Sequence, residues 1–183
     1  VEENQNNTIN IIYNVNMGEK ATIKEIQFIG DKKYKKRKLS SIITSEENKF
    51  WKVISKGKYL NISRIELDKR LLKNFYLNKG YYQVQINDAY SKIIDNENFV
   101  LTFNINAGKK FLFGDMNLVL PEDFDPAKFT KLQKIFNKNK NETYNFKLIE
   151  EIIDEIENIA LFQNYEFIDA KVIETVNDNK VNF

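Results

Sequence analysis

The chain has 183 residues, enough for one ordinary domain or two small ones, and 42% of them are hydrophobic, including 14 Phe that can build a core. The net charge of +2 gives no field strong enough to indicate nucleic-acid binding, and no apolar run approaches the roughly 20 residues that span a bilayer. Cysteine and histidine are both absent, which excludes disulfides, thiolate chemistry, imidazole bases and the usual zinc sites. The first eight residues are largely polar and acidic, so any export signal is expected outside this sequence.

Alternating apolar residues predict two strands at the start of the chain. They cover residues 9–16 and about 21–29, and Ile26 and Phe28 of the second strand are expected to face the core. The strand at 9–16 has no module of its own. We therefore expect it either to pair with a sheet edge of another chain or to be displaced from its usual place.

A short helix and an irregular segment follow. Apolar residues between 39 and 43 predict a helix of two to three turns, and residues 44–60 show no periodicity. The aromatic residues of this segment are expected to fill space under a packed loop. Phe50 and Trp51 have a second interpretation as a partner-binding surface, because exposed aromatic side chains dominate many interfaces.

The clearest element is a long helix that begins near residue 62. Its apolar residues recur at helical spacing and form one stripe, made of Ile62, Ile65, Leu72, Phe75 and Tyr76. Ser63 with Glu66 fits a capping box, and Asn61 is the alternative N-cap. Gly80 can adopt the left-handed conformation that ends a helix.

A strand is predicted directly after this helix, where the apolar period changes to two. Apolar Tyr82, Val84 and Ile86 alternate with Gln83 and Gln85, and the strand is expected to run to residue 88. A polar turn at 95–98 then leads into a strand that ends before Gly108. The residues of that strand expected to face the core are Phe99, Leu101, Phe103 and Ile105.

The pattern then repeats. The strand before Gly108 matches the strand before Gly18, 90 residues earlier. The repeated elements are a strand at 111–120, a short helix around 129–136, a long helix around 148–160, a strand around 168–172 and the start of a strand at 181–183. We therefore predict an α+β array of small modules. It divides into 1–18, the last strand of a preceding module, 19–108, a complete module, and 109–183, a module that lacks most of its final strand.

In their order and spacing, several of these motifs resemble polypeptide-transport-associated (POTRA) repeats of outer-membrane protein assembly factors. They are the strand ending IQFIGD, Phe50-Trp51, Tyr59, the helix ending FYLNKGY and the closing strand with its glycine turn. The complete module resembles the third repeat of such an array and the next one the fourth. Two departures are the basic run 32–38, where acidic or small polar residues are common, and Asn164 in the place of Gly80.

The resemblance implies tandem modules of order β-α-α-β-β, each with two helices packed on a three-stranded mixed sheet. It also implies a periplasmic, non-enzymatic scaffold that precedes a membrane barrel, docks accessory lipoproteins, receives unfolded outer-membrane β-barrel proteins and needs no cofactor or metal. An alternative within the same fold is a two-partner-secretion or translocation-and-assembly transporter. A remote alternative from another class is a hydrolase with paired carboxylates, which requires two acids converging in one pocket.

Such a module has the strand order one-three-two, which leaves the second strand at an edge with unpaired backbone groups. An extended peptide can add to such an edge as a new strand. The predicted binding edge is Tyr82, Gln83, Val84, Gln85, Ile86, Asn87 and Asp88. The alternative is an unoccupied edge that its polar residues blunt.

Three other features have plain interpretations beside the functional ones. The basic run 32–38 could meet anionic lipid or an acidic partner, but a solvated turn and helix start explains it as well. The acids at 150–157 fit the polar face of an amphipathic helix. Ser55 and Lys58 match the spacing of a Ser-Lys nucleophile, but no companion motif accompanies them.

Overall fold

The computed structural model describes residues 2–3, 9–10, 21–51, 55–95, 97–163 and 170–183. Two short strands, β1 (Glu2–Glu3) and β2 (Ile9–Asn10), pair antiparallel near the N-terminus. The strand predicted at 9–16 is thus described only at its first two residues, which pair within the chain. Its remaining residues lie outside the described ranges.

The first sheet has three strands, β3 (Thr22–Asp31), β4 (Gln85–Ile93) and β5 (Asn98–Asn106), in the order β3-β5-β4. The central strand β5 is parallel to β3 and antiparallel to β4. Helices α1 (Lys36–Ser40) and α2 (Ile62–Leu77) complete the predicted order of elements, and a 3₁₀ turn (Lys56–Lys58) lies between them. The predicted one-three-two strand order is confirmed.

The core of this module lies between the sheet and the helices. The alternation read from the sequence is confirmed, because the same-face residues of β3 and β5 are almost completely buried. These residues are Ile23, Ile26 and Phe28 of β3, and Phe99, Leu101, Phe103 and Ile105 of β5. Leu39 of α1 and Leu72 and Tyr76 of α2 pack against them. Helix α1 has five residues, shorter than predicted.

Helix α2 begins and ends through identifiable hydrogen bonds. Asn61 is the N-cap, since its side chain accepts from the Arg64 amide at 2.8 Å. Of the two N-caps considered from the sequence, the alternative at Asn61 is therefore confirmed. Ile62, predicted to face the core, is 78% exposed because it lies in the first turn, beyond the sheet. At the other end Gly80 has φ +91°, and the Tyr81 amide donates to the Tyr76 carbonyl at 3.1 Å, as in a Schellman motif.

A buried aspartate joins helix α2 to the segment after α1. Asp68 is fully buried. Its Oδ1 accepts hydrogen bonds from the Thr44 amide at 2.6 Å and the Thr44 hydroxyl at 2.7 Å, and its Oδ2 accepts from the Ser45 amide at 3.1 Å. Three donors compensate the cost of burying this carboxylate. No local pattern in the sequence indicates this contact.

The second module repeats the topology with shorter strands. They are β6 (Leu112–Phe113), β7 (Thr175–Asn177) and β8 (Lys180–Asn182), in the order β6-β8-β7, with β8 parallel to β6 and antiparallel to β7. A 3₁₀ turn (Pro126–Phe129) leads into α3 (Thr130–Asn139), which α4 (Phe146–Phe162) follows. The α+β class and the repeated order of elements are confirmed.

Two strand boundaries in this module differ from prediction. The strand predicted at 111–120 has only two residues. Beyond it the Asn182 side chain accepts from the Asp115 amide at 2.8 Å, and the Asn117 amide donates to the Phe183 carbonyl, also at 2.8 Å. The strand predicted around 168–172 lies partly outside the described residues, and the described strand begins later, at Thr175.

We predict that Asp68→Ala lowers the free energy of unfolding by about 3 kcal/mol, because it leaves the amide of Thr44 and the buried amide of Ser45 without an acceptor. Urea denaturation followed by circular dichroism measures this loss. Glu66→Ala is the matched control on the same helix, since Glu66 makes an exposed ion pair with Lys69; its effect should stay below about 0.5 kcal/mol. Equal losses in the two variants would show that the buried contact does not stabilise the fold.

Candidate protein-binding site

The outer margin of β4 is the candidate site, and one hydrogen bond fixes which of its backbone groups face outward. The Ile94 amide donates to the Asn98 carbonyl at 2.9 Å, just beyond the end of the antiparallel ladder. In such a ladder, residues alternate between facing the partner strand and facing away from it. Tyr90 and Lys92 therefore bond to β5, whereas Ala89, Ser91 and Ile93 direct their backbone N–H and C=O groups away from the sheet.

The opposite margin of the sheet, along β3, is capped. The Ile26 amide donates to Glu47 Oε1 at 3.0 Å, and the Lys32 ammonium donates to the Phe28 carbonyl at 2.9 Å. Nearer the start of β3, the Asn48 amide donates to the Ile23 carbonyl at 2.7 Å. Side chains and a loop thus occupy the positions that an added strand would need on this side.

Electrostatic contacts hold the Glu47 cap in place. Lys36 Nζ lies 2.7 Å from Glu47 Oε1, and Lys49 Nζ lies 3.8 Å from Oε2. Burial tends to raise the pKa of Glu47, but the hydrogen bonds from Lys36 and the Ile26 amide, with the charges of Lys36 and Lys49, hold it below its usual value. The carboxylate therefore stays ionised and keeps accepting from β3.

The margin of β4 is open by comparison. Within the described ranges, no residue donates to or accepts from the outward backbone groups of Ala89, Ser91 and Ile93. Ile93 pairs with Phe99 and so shares the core-facing side of the sheet, yet its side chain is 77% exposed. An unpaired backbone margin beside an exposed apolar side chain is an arrangement that can accept another strand.

The predicted edge 82–88 is displaced from the edge in the structure. β4 begins at Gln85, so Gln85, Ile86, Asn87 and Asp88 belong to it, with a bulge between Ile86 and Asp88. Tyr82 and Gln83 lie in a turn, and Val84 is buried. After α2 the chain buries Val84 and part of Tyr82 before it enters β4. The apolar alternation that predicted a strand at 82–88 therefore reflects packing outside the sheet.

The residues that follow α2 contact the second module and join the two modules. The Phe111 amide donates to the Gly80 carbonyl at 2.8 Å, and the Asn78 side chain accepts from the Lys147 amide in the first turn of α4, also at 2.8 Å. A Cβ at Gly80 would lie 2.6 Å from Thr143 Cγ2, so the glycine permits both its left-handed φ and the close approach. The end of α2 is thus fixed against the start of α4.

The Tyr82 side chain packs between the two modules at this junction. Its ring centroid lies 5.5 Å from that of Phe111 and 5.1 Å from that of Tyr144, and its hydroxyl donates to Glu174 Oε2 at 2.5 Å. Burial, followed by the hydrogen bond to Glu174 and the charge of that carboxylate, raises the pKa of Tyr82 to about 12. The phenol therefore stays protonated and donates throughout the physiological range.

The second predicted surface, Phe50 and Trp51, is exposed. Phe50 is 88% exposed and Trp51 64%, so the expectation that these rings fill space under a loop is wrong. The rings pack against each other, with centroids 4.5 Å apart at a nearly perpendicular angle. Their use as a partner surface stays a prediction, and the exposure of both rings is compatible with it.

Two other sequence features have structural explanations. The Ser55 hydroxyl donates to Glu46 at 2.8 Å and accepts from the Gly57 amide at 3.2 Å, so it caps the 3₁₀ turn.

The acids of α4 spread along its surface: Glu151 pairs with Lys147 at 3.3 Å and Glu155 with Lys131 at 2.9 Å. Glu150, Asp154 and Glu157 are exposed. Among the described helices, none is long and apolar enough to cross a membrane.

Comparisons with known proteins identify the class of module. The sequence profile of the POTRA family, described as surface antigen variable number repeat, matches residues 21–108. The predicted resemblance of the first module to the POTRA family is confirmed.

The relatives that match come from one kind of protein. The outer membrane protein assembly factor BamA of Buchnera aphidicola is 28% identical over 172 residues, which cover 92% of this chain and 27% of that protein. BamA of Neisseria meningitidis serogroup B is 22% identical over 167 residues, covering 91% of this chain and 21% of that protein. This chain thus spans about a quarter of the length of the curated relatives it matches.

A solved structure shares the fold. The crystal structure of Haemophilus influenzae BamA POTRA3-5 matches with a TM-score of 0.73 at 16% identity, covering 91% of this chain and 65% of that chain. The chain therefore has the architecture of consecutive BamA POTRA repeats, in agreement with the resemblance to a third and fourth repeat read from the sequence.

Ala89, Ser91 and Ile93 are the site residues that sequence reasoning missed. Most residues between 87 and 93 are polar, so hydrophobic periodicity gives no strand signal there. The length of β5, the strand with which β4 pairs, could have indicated where β4 lies. A hairpin turn at 95–98 followed by nine residues of β5 requires about nine paired residues before the turn, which places the strand at 85–93.

We predict that Tyr82→Phe destabilises the protein by about 1 kcal/mol at neutral pH, because it removes the hydrogen bond to Glu174. The folded pKa of about 12 lies above the ordinary value near 10. The stabilisation is therefore complete below pH 10 and lost as the pH rises through 12. The difference in unfolding free energy between wild type and variant, measured in urea across this range, should shrink accordingly.

Tyr90→Phe, at an exposed tyrosine of β4, is the matched control and should change the unfolding free energy at neutral pH by less than about 0.5 kcal/mol. A difference between wild type and Tyr82→Phe that stays constant from pH 8 to pH 12 would contradict the assignment of this bond to the junction.

Proposed function

We propose that this chain is a non-enzymatic, periplasmic part of an outer-membrane β-barrel assembly machine. It receives unfolded barrel proteins by adding one of their strands to β4 and docks accessory lipoproteins on other surfaces. The open outer margin of β4, in a sheet whose other margin is capped, is the observation that carries the proposal. The match of the chain to outer membrane protein assembly factors supports it.

The geometry of β4 suits a ligand that varies in sequence. A strand added beside Ala89, Ser91 and Ile93 gains backbone hydrogen bonds that any residue except proline can supply. An apolar side chain of the ligand can cover Ile93, which is exposed in the free protein. Transmembrane β-strands alternate apolar and polar residues, so they provide such a side chain at every second position.

The proposal keeps the division at residues 19–108 and 109–183 and places a membrane barrel outside these residues. Acid-based hydrolysis receives no support, since the described acids of α4 lie on its surface rather than converging in a pocket. Phe50 and Trp51 are retained as a second interaction surface, separate from β4.

The test uses proline to remove one outward N–H group. Ser91→Pro should leave the fold intact, because a proline is tolerated where the amide faces away from the sheet. It should weaken the binding of a synthetic peptide with the alternating pattern of a transmembrane β-strand by about tenfold or more, since a hydrogen bond is lost and the ring blocks the approach. Chemical-shift titration of the full chain measures both the affinity and the residues involved.

Two variants make the test specific. Ser91→Ala keeps the N–H group and should bind like wild type. Lys92→Pro removes an amide that bonds to β5 and should destabilise the fold, which checks the assignment of outward and inward positions. The proposal fails if Ser91→Pro binds the peptide as tightly as Ser91→Ala, or if the shifts concentrate away from β4.

A further inference from the structure

The segment that contains α1 and the exposed aromatic pair is strongly basic. Residues 31–58 contain ten Lys and Arg residues and three acidic residues, a net charge of +7 in a chain whose total is +2. The rest of the chain is therefore net acidic. Such asymmetry indicates a surface with an electrostatic role.

Contacts place the cations beside the exposed rings. Lys36, Arg37 and Lys49 line one groove next to α1. Lys49 Nζ lies 5.7 Å from the centroid of the Trp51 ring, and Trp51 packs against Phe50. We refer to these five residues, Lys36, Arg37, Lys49, Phe50 and Trp51, as the basic-aromatic face. Two exposed aromatic rings thus stand beside cationic side chains.

Three carboxylates lie at this face: Glu25, Glu46 and Glu47, of which Glu46 and Glu47 line the groove. Glu47 pairs with Lys36 and Lys49, and Glu25 lies 3.7 Å from Lys36. Arg37 is exposed, and within the described ranges no carboxylate forms an ion pair with it. These acids match the three cations in number, so the positive charge around the two rings is that of the whole segment 31–58, which remains +7 with Glu46 and Glu47 counted.

We propose that the basic-aromatic face docks on an anionic phospholipid surface, with Phe50 and Trp51 entering the headgroup region. Tryptophan favours the membrane interface, where its ring has an apolar body and a polar N–H group. Lysine and arginine can extend their charged ends to lipid phosphates while their aliphatic stems stay beside the rings. This docking does not depend on strand addition at β4.

The same features argue for lipid rather than a protein pocket. An aromatic anchor in a protein interface is usually surrounded by groups that exclude water. Here the exposed rings stand beside cations, an arrangement typical of segments that combine apolar insertion with attraction to anionic lipids.

Trp51 is the only tryptophan in the sequence, so its fluorescence reports directly on this face. The full 183-residue chain is titrated with vesicles of phosphatidylcholine alone and of phosphatidylcholine mixed with phosphatidylglycerol. The expected result is a blue shift and protection from acrylamide quenching with the anionic vesicles only. No shift with anionic vesicles, or an equal shift with neutral ones, overturns the proposal.

Charge reversal tests the cations. The double variant Arg37→Glu/Lys49→Glu should lower vesicle binding by about tenfold or more, since each cation near an anionic surface contributes about fivefold. The matched control, Lys128→Glu/Lys134→Glu, changes the net charge equally at exposed lysines of the second module. Equal losses in the two double variants would show that only the net charge matters and would overturn the proposal.

A second pair of variants tests the ring. Phe50→Ser keeps the Trp51 reporter and should weaken binding, whereas Val119→Ser, at an exposed apolar residue of the second module, should not. Urea denaturation of all variants shows that they remain folded. If polyglutamate shifts the Trp51 emission and anionic vesicles do not, the face serves an acidic protein partner and the lipid proposal is wrong.

Discussion

The position of β5 between β3 and β4 determines how the first module can interact with other chains. Both margins of β5 are occupied by its neighbours, so the sheet has two outer margins, along β3 and along β4. Glu47, Lys32 and the loop at Asn48 bond to the first of these. An edge that satisfies its own backbone groups does not recruit another strand. The asymmetry therefore directs strand addition to β4.

The segment 78–84 connects this edge to the second module. Within seven residues the chain ends α2, contacts the start of α4 and turns into β4. Gly80 makes the path possible, because its left-handed φ turns the chain and the absence of a Cβ allows the approach of Thr143. The orientation of the candidate binding strand is thereby coupled to the neighbouring repeat.

The elements that the sequence predicts best are those with one buried face. Strands β3 and β5 alternate because every second residue enters the core, and α2 and α4 carry clear apolar stripes. Strand β4 is mostly polar where it lies at the edge, so hydrophobic periodicity does not indicate a strand there. Tyr82 and Val84 produced a false alternation by packing outside the sheet. Asp68 and the exposed Phe50 and Trp51 depend on tertiary contacts that local sequence does not encode.

The most direct measurement of the open edge is amide hydrogen exchange of the free protein, resolved residue by residue by NMR. We predict an alternation along β4, with slow exchange at Tyr90 and Lys92, whose amides bond to β5, and fast exchange at Ala89, Ser91 and Ile93. Uniform protection from residue 89 to residue 93 would contradict it, because it would show that the outer margin of β4 is already covered.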